Sequence, residues 1–418
     1  MSVKKRHFNK LFIEKSKTAL IFILIITAVL LAQETAIFEE LAEGYSRADS
    51  SLEQSLVGIA TAPIEGARPS VIVVRSADTA RAVGMHSVAK YDSASVDALY
   101  DRTASIMGEA LSTAERWTES SETAWRRAIS SAGIMYEYHA EIPLPLVASW
   151  LGADLKNERV VQRLCLVFGE QSVLYVQGES GYYKANTVSL SGETVLSGDF
   201  PDSLIYQFEY DDASPAPYFI MLSGARYPTL VPTNPLERPA NLAAMLTSLG
   251  FDGTQRPGYT ESDGTQVYVS GVYTVSVSTD GVLTYKRAST AESDSRALEL
   301  VEAVELASNA ACRSISAICG DARIWFAGIE QVGNRQTVTF DYFFAGGRVF
   351  FPNVEHAVTV TIVDGIITEM TICARSFTAE GEARLLPEKQ ALAAAEGEIR
   401  LAYKDSGTPF WYSVEVSG

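Results

Sequence analysis

Val275-Ser-Val-Ser-Thr-Asp-Gly-Val-Leu-Thr284 and Val360-Thr-Ile-Val-Asp-Gly-Ile-Ile-Thr368 are the stretches whose reading decides the fold. Each is rich in β-branched residues and is broken once by Asp-Gly, and the second lies on the first with one residue dropped. Such a pair between β-prone flanks predicts an antiparallel hairpin closed by a type I′ turn, in which both central residues take positive φ. The turns are expected at Asp280-Gly281 and Asp364-Gly365. A helical pattern precedes each hairpin. Asn234-Pro235 starts the first, with Leu242, Met245, Leu246 and Leu249 as its apolar stripe and Gly250 as its stop. The second runs from about Ser293 to Ile318, with Leu300, Val304, Ala307 and Ala311 on one face and Gly320 as its end. Two tandem helix-plus-antiparallel-sheet domains, related by duplication, are the simplest account.

Working outward, the strand patterns of the middle unit are Val160 to Phe168, Gln171 to Gln177, Gly181 to Val188 and Leu204 to Tyr210, then 267–270, 273–278 and 282–287. In the last unit they are 323–331, 336–344, 357–363, 366–377 and 410–416, with a helix opened by Pro387. Residues 39–155 mix the two periods. Ser70 to Val74 predicts a buried strand, Ser95 to Thr113 a helix, and Ser120 or Ser121 the cap of another. A strand at Ile134 to His139 follows, and then a short helix opened by Pro143. The fold class is therefore α+β. The expected divisions are 39–155, 156–290 and 291–418, preceded by a basic tail over 1–17 and a transmembrane helix over 18–38.

That N-terminal segment carries the localisation. Lys4, Lys5, Arg6, Lys10, Lys15 and Lys17 precede Thr18 to Ala32, which holds no charged side chain. Positive charge stays on the cytoplasmic side, so the body is expected outside the cell membrane on a single-pass anchor. Fifteen residues also suit a signal peptide. Leu30, two places before Ala32, fits a small-residue cleavage pattern poorly, and the helix can continue to Phe38. An uncleaved anchor is expected. Its small residues Ala19, Thr27 and Ala28 are candidates for close helix–helix contact in lipid.

The chain has 418 residues and a formal charge of −17. The first 32 residues carry +5, so the remainder carries −22 and is a poor binder of nucleic acid. Hydrophobic residues at 47% are enough for packed cores. Cys165, Cys312, Cys319 and Cys373 are too few for a disulfide framework, and buried small hydrophobes are the simpler reading. His7, His86, His139 and His356 form no spaced ligand pair. Period 2 puts Glu137, His139 and Glu141 on one strand face, better read as a solvated polar face than as a metal site. Gly178-Glu179-Ser180-Gly181 lies between strands and is expected as a turn, not a nucleophile elbow. Asp211-Asp212 sits in a Ser- and Pro-containing loop. No catalytic, cofactor-binding or metal-binding residues are expected.

Three stretches remain: the basic lead Asn9-Lys-Leu-Phe-Ile-Glu-Lys-Ser-Lys17, Gly258-Tyr-Thr-Glu-Ser-Asp-Gly-Thr265 followed by Val267-Tyr-Val269, and Phe340-Asp-Tyr-Phe-Phe-Ala-Gly-Gly-Arg-Val349 with the Asp364-Gly365 hairpin. Together they resemble the YycH/YycI family of membrane-tethered accessory proteins of the WalK–WalR (YycG–YycF) two-component system of Gram-positive bacteria. By length the chain is similar to YycH-type members, which have three extracytoplasmic domains. The resemblance implies a non-enzymatic regulator that binds a WalK/YycG-like sensor histidine kinase, partly through its membrane helix, and adjusts signalling tied to cell-wall metabolism. It also implies a YycI-like protein as a further partner, and supplies no catalytic residues. Two other readings stand beside it. One is an anchored module for a peptide or wall fragment, which a pocket with convergent polar groups would favour. The other is an extracytoplasmic hydrolase, which requires a Ser, His or carboxylate cluster assembled in space.

Overall fold

Apolar runs in the first half of the chain become central strands. Val71–Arg75 (β1), His86–Lys90 (β2), Glu115–Glu119 (β3), Gly133–Pro143 (β4), Val160–Val167 (β5), Val173–Gly178 (β6) and Gly181–Asn186 (β7) build an antiparallel sheet of order β2-β1-β4-β5-β6-β7-β3. The structure is a computed structural model that describes residues 68–76, 86–190, 206–209, 218–221, 226–254, 256–288, 297–395 and 397–414. The expected membrane helix with Ala19, Thr27 and Ala28, and the Asp211-Asp212 loop, lie outside the described residues. Among the described residues no helix is long and apolar enough to cross a membrane.

Helices pack on both faces of this sheet because successive strand side chains point to opposite sides. Helix α1 (Ser93–Ser112) is capped by the Asp92 carboxylate, which accepts from the Ala94 and Ser95 amides. It buries Val96, Leu99, Met107 and Leu111, and its Thr103 hydroxyl bonds the Tyr136 hydroxyl at 2.6 Å. Gly108 lets α1 approach the end of helix α3 (Leu144–Trp150), because a Cβ there would lie 2.2 Å from the Leu151 carbonyl oxygen. On the other face helix α2 (Glu122–Ile129), capped by Ser121, sets Trp125, Ala128 and Ile129 against Val73, Met135 and Cys165.

The middle of the chain contributes strands Tyr206–Glu209 (β8), Tyr218–Met221 (β9) and Arg226–Thr233 (β10), helix α4 (Pro239–Ser248), then Tyr259–Thr260 (β11), Gln266–Ser270 (β12), Tyr273–Val277 (β13) and Val282–Arg287 (β14). The last third holds helix α5 (Leu300–Ile315), strands Arg323–Val332 (β15), Arg335–Phe344 (β16), Gly347–Phe350 (β17), Val358–Val363 (β18), Ile366–Cys373 (β19) and Ser376–Arg384 (β20), helix α6 (Glu388–Ala394), and strands Glu398–Lys404 (β21) and Pro409–Val414 (β22). Eleven of these strands share one sheet, β11-β12-β13-β14-β19-β18-β16-β17-β21-β22, with β15 also paired to β16. The connection around residue 290 thus joins strands of a single sheet. The β12–β14 and β16–β19 segments meet where β14 and β19 pair antiparallel, and α4 and α5, each preceding its strands in the chain, touch one another. Strand β10 pairs separately with β20.

The two Asp-Gly turns differ. Asp364 and Gly365 both have positive φ (54° and 78°), and Val363 pairs with Ile366 across a two-residue type I′ loop. At the other hairpin only Gly281 does (82°). The Gly281 amide donates to the Ser278 carbonyl and the Ser278 amide to Val282, giving a three-residue loop. That is a type I turn with a Gly bulge, and the additional residue in the first stretch is its cause.

Several element bounds also move. Asn234 caps only a 3-10 turn over Pro235–Glu237, and α4 starts at Pro239. Helix α5 starts at Leu300, where the Glu302 carboxylate accepts from the Glu299 amide, while the Leu298 carbonyl is tied to the Gln336 side chain. The strand expected over 366–377 breaks after Cys373: the Ala374 amide bonds the Gly281 carbonyl, and the chain then crosses to pair with β10.

Candidate functional site

The register of the first sheet aligns Val71, Glu137, Arg163 and Gln177 as neighbours across β1, β4, β5 and β6. They share the face that α2 covers farther along the strands, and here β21 of the second sheet covers them instead. Residues two apart on β21 point the same way, so Glu398 and Arg400 meet this row together. Arg163 Nε lies 3.2 Å from Glu137, its Nη1 donates to Gln177 at 3.0 Å, and its Nη2 bonds Glu398. Arg400 Nη2 bonds Glu398 at 3.3 Å, and its Nη1 donates to the His139 carbonyl. Burial pushes the Glu398 carboxyl up, but Arg163 and Arg400 outweigh it and hold it near 2. Two guanidiniums and two carboxylates thus close the seam between the sheets, with side chains 5–18% exposed.

Two more acid-centred groups flank this network. Asp341 on β16, 1% exposed, accepts from the Ala357 amide at 3.2 Å and lies 2.9 Å from Arg348 Nε and 3.2 Å from His356 Nδ1. Arg348 also donates to the Glu355 carbonyl, and its guanidinium carbon lies 4.6 Å from the Phe350 ring centre. Glu388 on α6 joins three segments by accepting from Lys90, the Tyr91 hydroxyl at 3.0 Å and the Met221 amide at 2.9 Å. Beside it Tyr91, Tyr227 and Trp411 pack as a triangle of rings with centres 5.7–5.8 Å apart. The Ala345-Gly346 turn, with positive φ at both residues, abuts Tyr91.

Between these groups lies a cavity of about 320 Å³, at the low end of the usual size for small-molecule sites. Its apolar wall includes Val71, Met135, Phe343, Phe350, Leu401 and Tyr412. The His139 ring borders it, 4.2 Å from the Phe343 ring centre and 5.5 Å from that of Trp325. Burial drives the His139 pKa down to about 3; Asp341 opposes the shift, while Arg400 and Arg348 reinforce it. The imidazole is therefore neutral at ordinary pH. Ser70, which also lines the cavity, donates its hydroxyl to the Glu137 carbonyl and not to a histidine. Among the described residues no group of three or more His, Cys, Asp or Glu is arranged to hold a metal ion.

Of the residues singled out in the sequence, Glu137, His139 and His356 come to this cavity. The polar face expected on β4 is half-buried and not fully solvated. A register shift between Glu137 and Ile142 breaks the period-2 pattern, and Glu141 turns away to accept from the Glu179 amide. Glu179 and Ser180 form the turn between β6 and β7. Asp280, Gly281, Asp364 and Gly365 are not among the residues lining the cavity. None of the four cysteines forms a disulfide, and Cys165, Cys319 and Cys373 are buried. Sequence reading missed Arg163, Asp341, Arg348, Glu388, Glu398 and Arg400. Asp341 and Arg348 lie in the Phe340–Val349 stretch that carries the family resemblance, which marks no role for either, and the alternation Glu398-Ile-Arg-Leu401 equally describes a surface strand.

No protein-family model matches the chain, and a search of curated proteins finds no match. Among solved structures, the crystal structure of YycH from Bacillus subtilis is similar to it, with a TM-score of 0.53 and 13% sequence identity, over 84% of this chain and 95% of that one. The chain therefore has a YycH-like α+β fold.

Proposed function

We propose that this chain is a non-enzymatic, membrane-anchored regulator that binds a WalK/YycG-like sensor histidine kinase and modulates two-component signalling linked to cell-wall metabolism. The observation that carries the reading is the YycH-like fold over 84% of the chain. The basic lead followed by the apolar run Thr18 to Ala32 supports a single-pass anchor with the N-terminus inside and the body outside. The reading includes a YycI-like second partner and helix–helix contact through Ala19, Thr27 and Ala28. The test is co-purification of the kinase with wild-type protein and with a variant whose residues 18–32 are replaced by an unrelated anchor, at matched expression. Reduced recovery with the replaced anchor is expected. Equal recovery would move the contact to the body, and no recovery with either would end the kinase reading.

The seam cavity favours a second reading, a body that binds a small ligand. An apolar wall with convergent charged groups is the usual form of such a site.

A further inference from the structure

We propose that the seam cavity binds a small carboxylate with an apolar body, its carboxylate held by Arg348 and Arg400 beside His139 and its body against Phe350, Tyr412 and Val414. The inference rests on the ligand-binding reading and not on the kinase assignment.

Buried polar atoms at the cavity lack protein partners. Arg400 Nε and both ring nitrogens of His139 are buried without a hydrogen-bond partner of normal geometry, while the Phe326 backbone acts on the ring to favour its protonated form. Unpartnered buried groups cost about 1–3 kcal/mol each, and a ligand that supplies acceptors removes that cost. The guanidinium is a planar fork that matches the two oxygens of a carboxylate. Arg348 and Arg400 reach the cavity from neighbouring strands, β17 and β21. The aromatic wall beside them is continuous, with the Phe350 and Tyr412 ring centres 4.8 Å apart.

Charge balance adds a constraint. Arg163 and Arg400 offset Glu137 and Glu398, Arg348 offsets Asp341, and Lys90 offsets Glu388. A bound carboxylate adds one negative charge to this neutral set. His139 is placed to compensate by taking a proton. The charged and titratable groups lining the cavity with it are Glu137 on its own strand, Lys90 and Tyr91 at the end of β2, Asp341 on β16, Arg348 on β17, Glu398 and Arg400 on β21, Tyr412 on β22, and His356 before β18; β15 brings the uncharged Trp325, Phe326 and Ala327. The proton goes from solvent to the His139 ring, and no covalent bond forms. Binding should therefore tighten as pH falls, by up to about tenfold per pH unit while His139 is neutral in the free protein and protonated in the complex.

The test is calorimetric titration of the full-length protein with N-acetyl-phenylalanine and with its uncharged amide, at pH 7 and pH 6. The acid should bind at least tenfold tighter than the amide, and tighter at pH 6. Arg348→Gln should weaken the acid about tenfold or more, the worth of a charged hydrogen bond. Equal binding of acid and amide would overturn the carboxylate assignment and leave the cavity as a ligand site. Acid binding unchanged in Arg348→Gln would overturn the placement. Affinity equal at both pH values would overturn the role of His139. No binding of either probe at millimolar concentration would overturn both this inference and the ligand-binding reading.

Discussion

Glu398→Gln removes one negative charge from the network that joins the two sheets and leaves Arg163 and Arg400 facing Glu137 alone. The folded protein holds the Glu398 carboxyl at about 2 against an ordinary 4.5. At 1.36 kcal/mol per pKa unit that difference corresponds to about 3 kcal/mol of stability. Breaking a buried pair by removing one partner costs about 3–5 kcal/mol in general, so two independent routes agree. Because the folded pKa is depressed, the contribution is complete above the unfolded value and is lost as pH falls from about 5 towards 2. Urea unfolding followed by circular dichroism, on wild type and variant in parallel, measures it. The variant should be less stable by about 3 kcal/mol at pH 7 and by only about 1 kcal/mol at pH 3. Other carboxylates titrate in both proteins and cancel. The reasoning fails if the variant matches wild type at pH 7, or if the gap at pH 3 is as wide as at pH 7.

Two further outcomes are expected. Gly407→Ala should destabilise by at least about 2 kcal/mol in thermal unfolding, because φ is +80° and a Cβ there would stand 1.8 Å from the Leu230 carbonyl oxygen; an unchanged midpoint would show that the β21–β22 turn yields easily. In native protein at pH 8 a thiol reagent should modify Cys312 quickly while sparing Cys165 and Cys373, since burial pushes those two thiols up to about 12 and 11 and keeps them protonated; mass mapping after a short exposure reads the order.

The elements legible in the sequence are those whose period and caps agree. Helix α2 is marked by Ser121 and its Trp125, Ala128, Ile129 face, and β1 by an unbroken apolar run. Several strands that went unread carry charge. In β3, Glu115-Arg-Trp-Thr-Glu119, only Trp117 is partly buried, so nothing but pairing with β7 makes it a strand. β20 is exposed along most of its length, and β10 forms its ladder while carrying Pro228 and Pro232. β21 is the instructive case. Alternation assigns Ile399, Leu401 and Tyr403 to the core and Glu398 and Arg400 to water, yet both faces are covered, because Arg163 waits on the far side of the seam. A buried ion network depends on which partners the topology brings together, and a single strand holds no trace of that. The same limit explains β4, where a register shift after Glu137 sends Glu141 away from His139.

Arg163 and Glu398 are 235 residues apart in the chain. At about 5–20 residues per second, Glu398 is synthesised on the order of 10–50 seconds after Arg163. During that interval the waiting row is Val71, Glu137, Arg163 and Gln177, three of whose four side chains are polar. An apolar seam of the same area would spend the interval as a sticky patch open to other chains. Charge at the joint formed last is expected to keep the uncovered first sheet hydrated, at the cost of some final stability.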